Sequence, residues 1–192
     1  MRTVHPIEAE SYRRLRAAVH TAALPPRTRD VVERIVHTTA DPAWLADLVA
    51  DEAALVAGTR ALAAAAPLVV DVAMVAAGIT AYPSTCLVDT RTEGLTRAAA
   101  GIRLAAERAP DGSVWAIGNA PTALVELLRL AEAGRVRPSL VVGLPVGYVG
   151  AVEAKAALRA SGLPQLSNRS ARGGSAVAAA AVNALLYGDP LA

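Results

Sequence analysis

Residues 113–143 read SVWAIGNAPTALVELLRLAEAGRVRPSLVVG. Ser113–Ile117 predicts a short strand, Pro121–Ala133 a helix, and Ser139–Gly143 a second strand. Pro121 suits the first helical position, where its missing N–H costs nothing. Both strands are apolar throughout, without alternation, as strands covered on two faces require. A short strand, a helix and another short strand imply a right-handed crossover into a parallel sheet.

Outward from that unit the pattern repeats. Leu68–Asp71 and Thr85–Val88 read as strands, and Thr96–Ala109 as a helix stopped by Pro110-Asp111-Gly112. Downstream come a helix over Val149–Ala160, a break at Gly162-Leu163-Pro164, a short strand at Gln165–Ser167 and a last helix over Ser175–Tyr187. Upstream, Ile7–Ala22 is helical until Leu24-Pro25-Pro26, and Arg29–His37 reads as a short helix. Asp41-Pro42 reads as a cap and first turn of a helix reaching about Ala66, with a break at Gly58. The fold class is α/β, with helices on both faces of a mainly parallel, Rossmann-like sheet of about five strands. No linker or internal repeat interrupts the chain, so one domain spans residues 1–192.

The composition narrows the function. The chain has 192 residues, 54% apolar and 19% charged, enough to bury a sizeable core and too apolar for disorder. Net charge is +2, with no cationic run and few aromatics, which argues against a nucleic-acid partner. A lone cysteine cannot form a disulfide framework, and Cys86, His5, His20 and His37 lack zinc spacing. The most apolar stretch, Ala61–Ile79, contains Pro67 and Asp71 and reads as a helix end and buried strand, not a membrane span. The N-terminal residues turn polar where a signal peptide needs an apolar core. A soluble cytoplasmic protein is the expectation, with no metal and no cofactor.

In parallel sheets ligands gather beyond the carboxyl ends of the strands, here 72–81, 118–122, 143–150 and 167–175. Gly118-Asn119-Ala120-Pro121-Thr122 opens a helix whose free amides suit an anion; the plain alternative is that Asn119 caps the helix. Arg169, Arg172 and Gly173-Gly174-Ser175 form a candidate carboxylate or phosphate clamp, or else a solvated loop. Thr96-Arg97 is a similar helix start. No phosphate-loop or dinucleotide fingerprint is present, and Pro145 removes a donor from Gly143-Leu144-Pro145-Val146-Gly147. On residue type alone His37, Cys86 and Met74 read as structural, the last two as core fillers.

Several segments together resemble the precorrin-8X methylmutase family of cobalamin biosynthesis. They are HPIEAESYRRLR from His5, RIVHTTAD around His37, DVAMVAAGI from Asp71, TRAAAGIR from Thr96, AIGNAPTAL from Ala116, VVGLPVGYVGAVEAK from Val141 and ARGGSAVAAAAVNALL from Ala171. The resemblance implies a single three-layer α/β/α domain acting as a homodimer, and small apolar residues on the helices fit close packing. It implies a cofactor-free isomerisation that moves a methyl group from ring carbon 11 to ring carbon 12 of precorrin-8X, or of cobalt-precorrin-8. His37 is then the proton donor and acceptor, and Ser11, followed by Tyr12 where the family more often has Phe, contacts the substrate. Arg16, Thr80, Arg97, Asn119 and Arg172 are the further expected substrate contacts, since the macrocycle is ringed by carboxylates. Ser170 and Ala171 depart from the family's glycine and arginine, with Arg169 a candidate replacement, and Ala40 replaces a common glycine. A non-catalytic tetrapyrrole carrier is the second reading; it would dispense with His37. A nucleotide-dependent α/β enzyme is the third, opposed by the missing fingerprints.

Overall fold

The prolines expected to end the first helix instead begin the second, and the first stops earlier, at Ala18 and not Ala22. Helix α1 covers Pro6–Ala18, and α2 runs from Pro26 to Thr39, with Pro26 in its first turn. The computed structural model describes residues 4–87, 92–109 and 111–192. Val88, at the end of an expected strand, and Pro110, in an expected helix stop, lie outside the described residues.

The region after α2 departs most from expectation. Asp41 does accept from the Ala43 N–H, at 2.9 Å, but the helix it starts, α3, covers only Trp44–Asp47. A strand, β1 (Leu48–Ala50), follows, and then α4 (Glu52–Ala63), capped by Asp51. Gly58 does not break α4. A Cβ there would sit 2.4 Å from Leu140 Cδ2, so the glycine lets the helix lie close on the sheet. The chain continues through β2 (Leu68–Val70), α5 (Ala73–Gly78), β3 (Thr85–Cys86), α6 (Arg97–Ala106), β4 (Val114–Ile117), α7 (Pro121–Glu132), β5 (Leu140–Gly143), α8 (Ala151–Ala160), β6 (Gln165–Asn168) and α9 (Ser175–Tyr187).

Among the described residues the sheet has six strands in the order β1-β6-β5-β4-β2-β3, one more than expected. All neighbours pair parallel except β1, which lies antiparallel on β6 with Leu48 opposite Asn168. Alternate residues of each strand enter opposite core layers. Leu68, Val70, Val114, Ala116, Leu140 and Val142 join one layer with α2, α4 and α9. Val69, Trp115, Ile117 and Val141 join the other with α6, α7 and α8. Cys86 packs partly buried against the first layer. Met74, read as core filler, instead stands exposed on the short helix α5, which offers only one covered face.

Helices α2 and α9 pack against each other in opposite directions. Arg29 near the start of α2 reaches Asp189 beyond the end of α9, and Arg172 before α9 reaches Asp41 beyond the end of α2. The start of α9 in turn touches the end of β4, where a Cβ on Gly118 would lie 3.0 Å from Ser175 Cα. The end of α2 therefore sits at the carboxyl edge of the parallel strands. Among the described residues no helix is long and apolar enough to cross a membrane.

Candidate active site

Val31, Val32, Ile35 and Val36 bury one face of α2 against the sheet and α9, leaving His37 on the flank toward α1. Ser11 Oγ lies 2.9 Å from His37 Nδ1, although the two residues are 26 positions apart. The buried Tyr12 ring stacks on the imidazole, with centroids 4.8 Å apart and planes at 24°. The guanidinium of Arg34 lies 5.5 Å from the Tyr12 ring and donates to Glu8 Oε1 at 3.1 Å. The imidazole is thus fixed at one nitrogen and on one face, and only half buried. Burial holds its pKa below the ordinary histidine value. Arg34 pushes the same way, while Glu8 opposes both. The last turn of α2 closes with Thr38 and Thr39 hydroxyls donating to the Arg34 and Ile35 carbonyls. Ala40 then ends the helix at φ 53°, in the left-handed region where a glycine is commoner.

Arg172 comes to the same end of α2. Its guanidinium pairs with Asp41 and lies 4.6 Å from the centre of the buried Trp44 ring. The departures at Ser170 and Ala171 need no glycine, since neither residue has positive φ. Asp47 holds the turn instead: its carboxylate accepts from the Ser170 N–H at 2.9 Å and the Ser170 hydroxyl at 2.6 Å. Arg169 is turned toward backbone carbonyls. Its guanidinium donates to the Ala46 carbonyl at 3.1 Å and reaches the Leu48 carbonyl at 3.5 Å. Gly173 is required, because a Cβ there would sit 2.3 Å from the Leu144 carbonyl oxygen.

The helix start at Gly118–Thr122 is not an open anion site. The carboxylate of Asp71, 2% exposed at the end of β2, accepts from the N–H groups of Gly118 at 3.0 Å, Asn119 at 2.8 Å and Ala120 at 2.7 Å. Burial raises the Asp71 pKa, and the three amides counter it. Asn119 does not cap α7; the cap position is Ala120, and the Asn119 side chain is exposed. Thr96 Oγ1 and Thr122 Oγ1 lie 2.7 Å apart, joining the starts of α6 and α7 and placing the exposed Arg97 beside that rim. Thr80 is exposed in the turn after α5.

Arg16 is spent elsewhere. Its Nε and Nη2 grip the buried Glu33, with the shortest contact 2.8 Å, and Nη2 also reaches Asp189 at 2.7 Å. The structure therefore brings Ser11, His37 and Arg172 to one helix end and sets Arg97 and Asn119 along the strand edge, while Thr80 lies apart, just past Gly78, whose carbonyl meets Asn183 well along α9. Arg16 points into the protein's own carboxylates. A cavity of about 630 Å³ opens at the opposite end of α2, lined by Arg27, Arg29, Asp30, Tyr82 and Asp189 among others. It meets the site only through Arg34; neither Ser11 nor His37 lines it. Asp71, Asp41 and Trp44 are the site's missed supports. A charged residue directly after the apolar run Leu68–Val70 was the signal for Asp71.

The profile of the precorrin-8X methylmutase family matches residues 6–188. The chain is 40% identical over 163 residues to a cobalt-precorrin-8 methylmutase of Methanocaldococcus jannaschii, covering 81% of this chain and 77% of that one. It is 40% identical over 194 residues to a precorrin-8X methylmutase of Pseudomonas aeruginosa, covering 93% of each. The crystal structure of a precorrin-8X methylmutase from Thermus thermophilus superposes with a TM-score of 0.87 at 33% identity, covering 94% of this chain and 93% of that one.

Proposed function

The chain belongs to the precorrin-8X methylmutase family, and from that premise we propose that it is an isomerase of cobalamin biosynthesis, moving a methyl group from ring carbon 11 to ring carbon 12 of precorrin-8X or its cobalt form. The observation that carries the assignment of roles is the Ser11–His37 pair at 2.9 Å under the Tyr12 ring. With Nδ1–H donating to the Ser11 hydroxyl oxygen in both the imidazolium and the neutral ring, Nε2 is the nitrogen that exchanges protons. His37 protonates the macrocycle, the methyl group migrates between adjacent carbons, and the same imidazole takes the proton back. Atoms and charge balance without an oxidant, reductant or cofactor. Burial suits this role, because an imidazolium with a lowered pKa releases its proton more readily.

Arg172, Arg97 and Asn119 are proposed to meet the peripheral carboxylates and amphipathic edge of the ring. Arg172 is the strongest of these, because its half-exposed partner Asp41 leaves its charge open to water and ligand alike. A carrier would need the carboxylate contacts but not an oriented imidazole, so the Ser11–His37 bond favours the enzyme. The active form is proposed to be a cytoplasmic homodimer. Tyr148, fully exposed, and Val149, 88% exposed, form with Val146 and Val152 an apolar surface that a second copy would cover. Sedimentation equilibrium showing only monomer at micromolar concentration would remove that part.

The central test is His37→Ala and His37→Asn in single turnover, followed by the absorption change as ring conjugation alters. Both should fold and bind substrate, with rates reduced by about 10²–10⁴. Near-native rates in both would place the proton donor elsewhere. Dialysis against chelator should leave turnover of metal-free substrate intact.

A further inference from the structure

Lys155 is the chain's only lysine, and it is wholly buried on α8. Its ammonium donates to Asn168 Oδ1 at 2.8 Å, to the Arg172 carbonyl at 2.8 Å and to the Ser170 carbonyl. Three N–H donors meet three acceptors, so the group is saturated. Asn168 extends the network: its amide donates to Asp47 Oδ2 at 2.8 Å and to the Arg172 carbonyl at 3.0 Å. The loop between β6 and α9 is therefore suspended between one buried ammonium and the Asp47 carboxylate.

Burying an ammonium is costly, and burial pulls the Lys155 pKa down to about 8 even with Asp47 nearby. If the position only needed filling, an apolar side chain of similar length would fill it more cheaply. What the ammonium adds is a hold on two carbonyls two residues apart, including that of Arg172 itself. Fixing that peptide fixes the direction in which the Arg172 side chain leaves the backbone toward Trp44 and Asp41.

We propose that Lys155 is a positioning residue for substrate binding, holding the 168–172 loop so that Arg172 is presented at the end of α2 that carries His37. This rests on the reading of Arg172 as a substrate contact. A readout independent of substrate exists. The chain has two tryptophans: Trp44 lies under the Arg172 guanidinium, while Trp115 is buried in the layer on the other side of the sheet.

The experiment compares Lys155→Met, Arg172→Ala and the double variant, with folding checked by circular dichroism. Tryptophan emission and the substrate dissociation constant are both measured. Lys155→Met should change emission in the same direction as Arg172→Ala and weaken binding by about ten-fold. The double variant should bind no worse than Arg172→Ala, because Lys155 acts through Arg172. Wild-type emission in folded Lys155→Met, or additive losses of affinity in the double variant, would overturn the proposal. Should Lys155→Met fail to fold, Lys155→Gln, which keeps two N–H donors, carries the same comparison. Wild-type affinity in Arg172→Ala with altered emission would instead break the reading of Arg172 as a contact, and the emission of the lysine variant would still decide the positioning role.

Discussion

Arg16 and Arg172 are both held by carboxylates, in very different surroundings. Arg16 grips Glu33, whose side chain is 1% exposed and which also accepts from the Thr21 hydroxyl at 2.6 Å. Arg172 pairs with Asp41, whose side chain is 42% exposed, across the face of Trp44. In the first region Glu33 itself is shut off from water, so removing Arg16 strands its charge. In the second, water screens the pair, and Arg172 can turn to a ligand carboxylate at little cost. Whether an arginine is available to a carboxylate ligand is decided by the exposure of the partner it already has.

The largest effect separating the two regions is in stability. Arg16→Ala should cost about 3–5 kcal/mol, because Glu33 is left buried and uncompensated. Urea denaturation measures it, and a loss under about 1 kcal/mol would erase the distinction. Asp71 sharpens the comparison, being a buried carboxylate held by backbone amides in place of an arginine. Asp71→Asn turns an amide group toward one of those N–H donors and should cost about 1–3 kcal/mol by the same assay.

Arg172→Ala should show the opposite split to Arg16→Ala. Stability should fall by less than about 1 kcal/mol, while substrate affinity drops about ten-fold and loses part of its salt dependence. Direct titration at two ionic strengths checks both. His37 lies between the two regimes. Burial and Arg34 hold its folded pKa below the ordinary value, so on acidification the unfolded chain takes up the proton first. Stability should therefore fall as pH drops through about 6.5, and His37→Asn should flatten that fall. The smallest effect is at Ala40, one residue before Asp41. Ala40→Gly should stabilise by about 1 kcal/mol by relieving the left-handed backbone, read as a small rise in Tm.

Much of the fold was legible because it rests on local signals. Ser113–Ile117, Pro121–Ala133, Ser139–Gly143 and Ser175–Tyr187 each fall within about a residue or two of the observed elements, since apolar runs, proline and glycine act over short spans. The edge strand β1 was not legible. Leu48–Ala50 sits in a sequence that reads as helix, and pairing with Leu166–Asn168 decides its state. Gly58 misled for a related reason: its role is set by Leu140, distant in sequence.

Within the candidate site, the family's motifs singled out Ser11 and His37, but their 2.9 Å approach depends on α1 lying across α2. The amides at 118–120 looked free because a sequence cannot show that Asp71 folds back onto them from β2. Likewise nothing in the run of arginines distinguishes Arg16 from Arg172. Residue type determined that this protein would carry an apolar, two-sided α/β core, an imidazole near the end of α2 and arginines able to meet carboxylates. Only the tertiary structure decided which charges were already spent, because an ion pair forms through space between distant residues, and its worth depends on how much water the surrounding fold removes.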